Sequence, residues 1–473
     1  MTKKTERLSR RDFLSRTAAA CAGLGALGAA PNPLQSIAWA AGNESSLPKA
    51  KDRYFIFCYF AGGWDILLSL DPRDPVKFNA GNLSVTHIEP GYGQLDDPPN
   101  AGKPYTVKDA QGQPQILGCY VGDVLKHLDK FSFVRGMSMD TLTHEVGRRR
   151  FITGKPPSGL LARGSSGATW LASLLGQQDI IPNLAVRVET YNVDRPNFAT
   201  GLKVSSVPDL LRSLEADPTV MGSKMEQLID LTLAQSAQCP APQASHVWQN
   251  AELSRQIARG MVGGGLSDTF NFQAKTEAMA KLRAHYGIAA SGSSALGTPE
   301  AQAAMAVTAI TSGISRVCSI QFNVGDAHFD DWATDHGPQQ QAGFNVVCRI
   351  LEDLESRPYP GGGNWLDHTT LVGFSEFSRT ALLNSRGGRD HALTNACFLA
   401  GAGIEGGRYI GASGDVGLAP MKTNLISGQS DQGNGEVIKP EHVYRTLLHD
   451  LGVTKDVADL RVPPIKALLK NKT

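Results

Sequence analysis

Tyr54-Phe55-Ile56-Phe57-Cys58-Tyr59-Phe60-Ala61-Gly62-Gly63-Trp64-Asp65 is a short apolar run that stops at two glycines and then delivers a carboxylate. Residues 54–60 read as a strand. The paired glycines let the backbone turn tightly and set Asp65 at the strand's carboxyl end. Working outward, 183–188, 317–323, 369–374 and 397–400 repeat the short apolar pattern, while 300–315, 339–355 and 441–451 carry helical periodicity. Strands alternating with helices predict an α/β chain with a largely parallel sheet. Residues 79–115 are rich in Gly, Pro, Asp and Asn and read as a long surface loop, and about 205–298 reads as a helical insertion ending in the Ser/Gly-rich stretch 290–297. Both fit as insertions on a single domain, 41–473, with no internal repeat.

The amino terminus is of another kind. Lys3, Lys4 and Arg7 precede Ser9-Arg10-Arg11-Asp12-Phe13-Leu14, a weakly apolar stretch follows over 17–30, and Ala38-Trp39-Ala40 stands before Ala41. Charged start, apolar middle and small-x-small end are the order of a signal peptide, and the paired arginines point to the twin-arginine route, which carries folded proteins. The apolar stretch is short of the roughly 20 residues that span a bilayer. The expectation is export to the periplasm or beyond, with the twin-arginine translocation machinery as a transient partner and no stable membrane span.

Cleavage after residue 40 removes six basic and two acidic side chains from a chain of net charge +1, leaving −3. That balance offers no electrostatic footprint for nucleic acid. Cys58, Cys318 and Cys397 fall within apolar runs and read as buried thiols, and no cysteine spacing resembles a metal knuckle. An even count of cysteines permits disulfides in an oxidising compartment.

Ligands of open α/β sheets bind beyond the carboxyl ends of strands, so the polar residues after each run carry the chemistry. Asp65 follows the first run; Gly325-Asp326-Ala327-His328 follows 317–323; Ser375-Glu376-Phe377-Ser378-Arg379 follows 369–374, and Gly388-Arg389-Asp390-His391 comes soon after. Carboxylates gathered in this way repel one another unless a cation sits among them. Carboxylate oxygen and neutral imidazole are the usual donors to zinc and manganese, so one or two divalent ions (zinc, manganese or calcium) are expected on Asp65, Asp326, His328, Glu376, Asp390 and His391. His336, with Asp331 and Asp335, could extend that site, whereas His442 and His449 on the last helix read as structural.

These elements, with the Thr143-His144 to Gly154 segment, resemble a bacterial family numbered fifteen-oh-one among the domains of unknown function, whose members are similar to sulfatases and the wider alkaline phosphatase superfamily. The resemblance spans nearly all of 41–473. It implies an alkaline-phosphatase-like, mixed and mostly parallel sheet sandwiched by helices, with metals at the strand carboxyl ends. Asp65 resembles the first-strand aspartate ligand, and Asp326 with His328 resembles a later Asp/His pair at closer spacing. Glu376 stands at an Asp-His position whose histidine is here Phe377, and Asp390 with His391 resembles the last ligand group.

The segment His144-Glu145-Val146-Gly147-Arg148-Arg149-Arg150-Phe151-Ile152-Thr153-Gly154 is similar in spacing to the sulfatase signature. Arg148 falls at the signature arginine, and His144 falls where sulfatases carry a modified cysteine and phosphatases a hydroxyl. His144 is then a nucleophile or a metal ligand, or the hydroxyl of Thr143 attacks instead. The implied activity is metal-dependent hydrolysis of a small anionic ester, phosphate or sulfate, with Arg148 pairing the anion. The alternative is a non-catalytic protein that keeps the fold and binds an envelope component.

Overall fold

The computed structural model describes residues 52–471 except 215–222, 246–247, 250, 253–254, 257–258 and 260–265, so the leader lies outside the described residues. Its frame is an eight-stranded sheet. In chain order the strands are β1 Tyr54–Ala61, β2 Phe131–Ser138, β3 Asn183–Val186, β4 Leu202–Val204, β5 Val317–Asn323, β6 Thr369–Phe374, β7 Thr394–Gly401 and β8 Arg408–Ile410. They lie side by side in the order β8-β2-β7-β6-β1-β5-β3-β4. β7 runs antiparallel to both neighbours, and every other pairing is parallel.

β1 shows why the sheet must be covered on both faces. Its side chains alternate with the period of two that a pleated strand imposes. Tyr54, Ile56, Cys58 and Phe60 enter one apolar cluster, and Phe55, Phe57 and Tyr59 enter the other. The first face packs on helices α3, Pro299–Thr311, and α4, Gly337–Ser356, through Ala303, Ala306, Phe344 and Leu351. The second packs on α1, His144–Thr153, α2, Gly167–Leu175, and α5, Pro440–Asp450, through Phe151, Leu171 and Leu447. Each such aromatic or aliphatic side chain contributes about 1.5–3 kcal/mol by leaving water. A mixed α/β architecture with a large, mostly parallel central sheet follows.

Two differences from the sequence reading have physical causes. Residues 131–138 form a central strand that apolar patterning alone hides, because Arg135 lies within it. That guanidinium is buried, donating to the carbonyls of Leu70 (2.6 Å) and Ile116 (2.5 Å) and resting 4.7 Å over the Tyr409 ring. Inside 79–115, Tyr105–Lys108 and Pro114–Leu117 pair as a hairpin, with Tyr105 and Val107 turned inward. Between 205 and 298 lie helices Val207–Leu214, Ser223–Ser236 and Glu277–Tyr286, and Leu210, Leu214 and Tyr286 join the sheet's own core. The six described cysteines are free thiols, five of them buried. No helix among the described residues is long and apolar enough to cross a membrane.

Candidate metal centre

Five adjacent strands, β2, β7, β6, β1 and β5, bring their ends to one edge of the sheet. Four run parallel, so their carboxyl ends share that edge. β7 runs the other way, so His391, three residues before its start, arrives there too. β2 leads into α1, whose first residue is His144. β5 delivers Asp326 and His328, β6 delivers Glu376 and Arg379, and β1 supplies the turn Gly62-Gly63.

The loops touch closely. Gly62 and Gly63 have φ of 119° and 79°, and a Cβ on Gly62 would lie 2.2 Å from the Gly325 carbonyl oxygen. Only glycine allows the β1 and β5 turns to meet in this way. Gly147 does the same for α1, since a Cβ there would lie 2.3 Å from the Glu376 carbonyl oxygen. One turn earlier on that helix face, His144 reaches the Glu376 side chain.

Three imidazoles surround one carboxylate. The Nε2 atoms of His144, His328 and His391 lie 3.4, 3.2 and 3.6 Å from Asp326 oxygens. Donor atoms of His144, Asp326 and His391 all fall within 4.8 Å of one another. Each ring is fixed from behind at Nδ1: His144 by Glu376 (2.8 Å), His328 by Asp390 (2.8 Å) and His391 by the Leu142 carbonyl (2.6 Å). Those partners only accept, so each Nδ1 carries a proton and Nε2 is the ring atom turned toward Asp326. Yet the Nε2 atoms of His328 and His391 are 2.9 Å apart. Two lone pairs at that distance repel unless a proton or a cation lies between them.

Burial and charge tune the members in different directions. The hydrogen bond to Glu376 raises the His144 pKa above the ordinary histidine value despite partial burial, whereas burial lowers that of His391. Burial alone would raise Glu376, but hydrogen bonds from His144 and the Gly62 N–H hold it below the usual carboxylate range. Asp326 is likewise pushed up by burial and pulled lower still by Arg379. Arg379 is fully buried and ties the edge together, donating to the carbonyls of Gly62, Gly63 and Arg389 and at 2.6 Å to Asp326. Phe377, also fully buried, floors the site, stacked 4.0 Å from the His391 ring.

Of the residues expected from sequence, Asp326, His328 and His391 meet at this point. Glu376 and Asp390 stand one shell out, on the histidine Nδ1 atoms. Asp65 is elsewhere: fully buried, it accepts from the Leu67 N–H and the Trp332 indole (both 2.8 Å) and ion-pairs with Arg389 at 3.1 Å. Its charge serves a buried pair. Arg148 turns away to Glu189 at 2.8 Å, and Thr143 is an exposed N-cap residue. His336 is buried against this region, with no hydrogen-bond partner for either ring nitrogen among the described residues, and His442 is buried near Glu436 (3.4 Å). Sequence reading missed Arg379 as a tie and Leu142 as an anchor. Arg379 was visible as the cation closing Ser375-Glu376-Phe377-Ser378-Arg379, but Leu142 acts through a carbonyl, which no residue type marks.

The residues present fit a divalent metal. Three imidazoles, one carboxylate and an outer ring of acceptors on Nδ1 make the donor set that suits zinc or manganese better than calcium, which takes six or more oxygens.

Fold and site together define a mixed α/β protein with a cluster of three histidines around one aspartate at the strand ends. Residues 52–430 match the family described as a protein of unknown function, DUF1501, and the chain belongs to that family. No curated protein matches. Among solved structures, the chain is similar to one titled as Ps i-CgsB in complex with k-i-k-neocarrahexaose, at 9% identity and a TM-score of 0.37, over 87% of this chain and 75% of that one.

Proposed function

We propose that this chain is an exported, divalent-metal-dependent hydrolase of a small anionic ester, phosphate or sulfate, built on an alkaline-phosphatase-like fold. The observation that carries the reading is the trio of imidazoles, each with Nδ1 anchored and Nε2 turned toward Asp326. One ion is the natural count, since a single group of donors, His144, Asp326 and His391, closes to within 4.8 Å among the described residues. His144, His391 and Asp326, with His328 beside them, would hold it, and it would supply Lewis acidity toward an ester oxygen. Glu376 and Asp390 keep the rings in the right tautomer, and Arg379 holds Asp326 in place. Arg148 is spent on Glu189, so the substrate anion pairs instead with Arg386, half exposed at the rim and 3.6 Å from Asp390. Export rests on the twin-arginine leader.

One observation favours the second reading, a binding protein on the same fold. His144, at the position of the signature nucleophile, has Nδ1 committed to Glu376 and Nε2 turned into the cluster, and the buried hydroxyl beside it, Ser375 Oγ, is engaged with the Phe60 carbonyl (2.6 Å) and Glu376 (2.9 Å).

The test is elemental analysis of the purified chain beside an Asp326→Ala/His391→Ala variant, followed by hydrolysis of aryl phosphate and aryl sulfate esters with added zinc or manganese. About one ion per chain, lost in the variant, with turnover of either ester, supports the hydrolase. A folded chain that stays metal-free after incubation with both ions refutes it. Bound metal without turnover of either ester moves the reading to the binding protein.

A further inference from the structure

A different face carries its own chemistry. After α1 the chain forms a two-residue turn, Ser158-Gly159-Leu160-Leu161, closed by hydrogen bonds from Ser158 N–H to the Leu161 carbonyl (2.9 Å) and from Leu161 N–H to the Ser158 carbonyl (3.0 Å). Gly159 takes φ of 58°, and nothing lies within 4 Å of where its Cβ would be. Leu160 and Leu161 project at 64% and 74% exposure. Two adjacent leucines held out on an ordered turn leave apolar surface in water with no packing return.

The base of this turn is basic. Lys155 and Arg163 flank it and line a cleft of about 740 Å³ that also takes in Lys422 and Lys439. The cleft's acids are mostly matched: Glu441 pairs with Arg150 at 3.2 Å and Asp459 with Arg461 at 2.8 Å, while Lys439 pairs with Asp140 at 3.1 Å. Glu436 lies 3.4 Å from the buried imidazole of His442, which burial pushes toward neutrality. Lys155 and Arg163 stand near Asp459 and Lys422 near Asp431, though none of the three cations closes an ion pair among the described residues; with five basic side chains against three acidic ones, the cleft lining keeps surplus positive charge.

We propose that this face docks on an anionic lipid surface, with Leu160 and Leu161 entering the acyl boundary and Lys155, Arg163 and Lys422 meeting lipid phosphates. An apolar tip above a basic collar is complementary to a bilayer interface in both of its layers, and neither signal alone gives stable attachment. Charge complementarity decides against a second copy of this chain, whose matching face would bring the same cations together. The proposal is independent of the metal centre.

The test is co-sedimentation of the chain from Ala41 onward with phosphatidylcholine vesicles, with and without phosphatidylglycerol. Binding is expected only with phosphatidylglycerol and is expected to weaken with salt. Lys155→Ala/Arg163→Ala should lower partitioning about thirtyfold. Leu160→Asp/Leu161→Asp should lower it about tenfold or more, and since both positions are exposed, its thermal midpoint should match the parent's. No binding to phosphatidylglycerol vesicles overturns the proposal, as does binding that survives both double variants. A parent chain that self-associates and is made monomeric by Leu160→Asp/Leu161→Asp overturns it in favour of a dimer face.

Discussion

Replacing Gly147 by alanine adds one methyl group at the point where α1 lies against the β6 loop. In an unconstrained helix interior that change stabilises by about 1 kcal/mol, because glycine gives up more backbone freedom on folding. Here the added Cβ would lie 2.3 Å from the Glu376 carbonyl oxygen and 3.1 Å from its Cβ. The first of these is backbone, which has no rotamer to yield. Ordinary contact at about 3.4 Å needs a retreat of about 1 Å by the helix or the loop. The same retreat stretches the 2.8 Å bond between His144 Nδ1 and Glu376 beyond hydrogen-bond range. Overpacking costs about 1–3 kcal/mol, and with the lost bond it outweighs the helical gain, so Gly147→Ala should be less stable by about 1–2 kcal/mol. In thermal unfolding of the metal-free chain that appears as a fall of a few degrees in Tm. With His144 released from its anchor, zinc affinity should fall about 10–100-fold, read by competition with a chromophoric chelator. A variant as stable as the parent that binds zinc unchanged would refute the account of Gly147 as the spacer that seats His144.

Three further outcomes follow from the same geometry. His391→Ala should remove the ion altogether, whereas Asp390→Asn, which leaves the imidazole of His328 in place, should weaken metal binding by about 10–100-fold; equal losses in the two would blur the line drawn between ligand and support. Arg379→Met leaves the carbonyls of Gly62, Gly63 and Arg389 without their donor, and urea unfolding should show a loss of about 3 kcal/mol even in the absence of metal. Burial, aided by the charge of Arg379, lowers the His336 pKa to about 4. A base with a depressed folded-state pKa binds protons better when unfolded, so its contribution is present above the ordinary histidine value near 6.5 and is lost as pH falls toward 4. That single group should cost about 2 kcal/mol between pH 7 and pH 5, and the urea-unfolding difference between those two pH values should shrink by that amount in His336→Phe.

The strand-end logic made much of the site legible: Asp326, His328 and His391 follow or precede apolar runs, and residue type alone marks them as donors. What the sequence could not convey was direction. Asp65 has the same signature as Asp326, an acid after a strand and a glycine, but its side chain meets Trp332 and Arg389, residues far along the chain. Glu376 and Asp390 differ from Asp326 only in facing Nδ1 rather than Nε2, a distinction of a few ångströms set by how α1 and the 384–391 loop pack. Asn384 shapes that loop, donating to the His328 carbonyl at 3.1 Å and to Asp390 at 3.2 Å. The antiparallel sense of β7, which delivers His391 to the correct edge, depends on sheet order, and no local pattern encodes it. The strand 131–138 was obscured because its buried Arg135 makes a core segment look amphipathic.

His144 shows most clearly why those unreadable contacts matter for chemistry. Either role fixes one ring nitrogen with an acceptor; the two differ in where the other nitrogen points, toward the reacting atom for a histidine that attacks an ester and at fellow donors for one that holds a metal. His144 sits at the start of a helix, packs at 4.7 Å against the rings of both Phe377 and His391, and gives Nδ1 to a carboxylate with 1% exposure. That is a locked ring. Its Nε2, 3.4 Å from Asp326 and among the donors of Asp326 and His391, argues for ligand over nucleophile, and the anchored Nδ1 gives Glu376→Gln a diagnostic value. An amide that turns its oxygen to Nδ1 keeps the ring oriented while removing the charge. Under the ligand role, Glu376→Gln should bind zinc more weakly by about tenfold with the fold intact. Under the nucleophile role, metal binding should stay at the parent level while turnover falls, and that result would reverse the assignment.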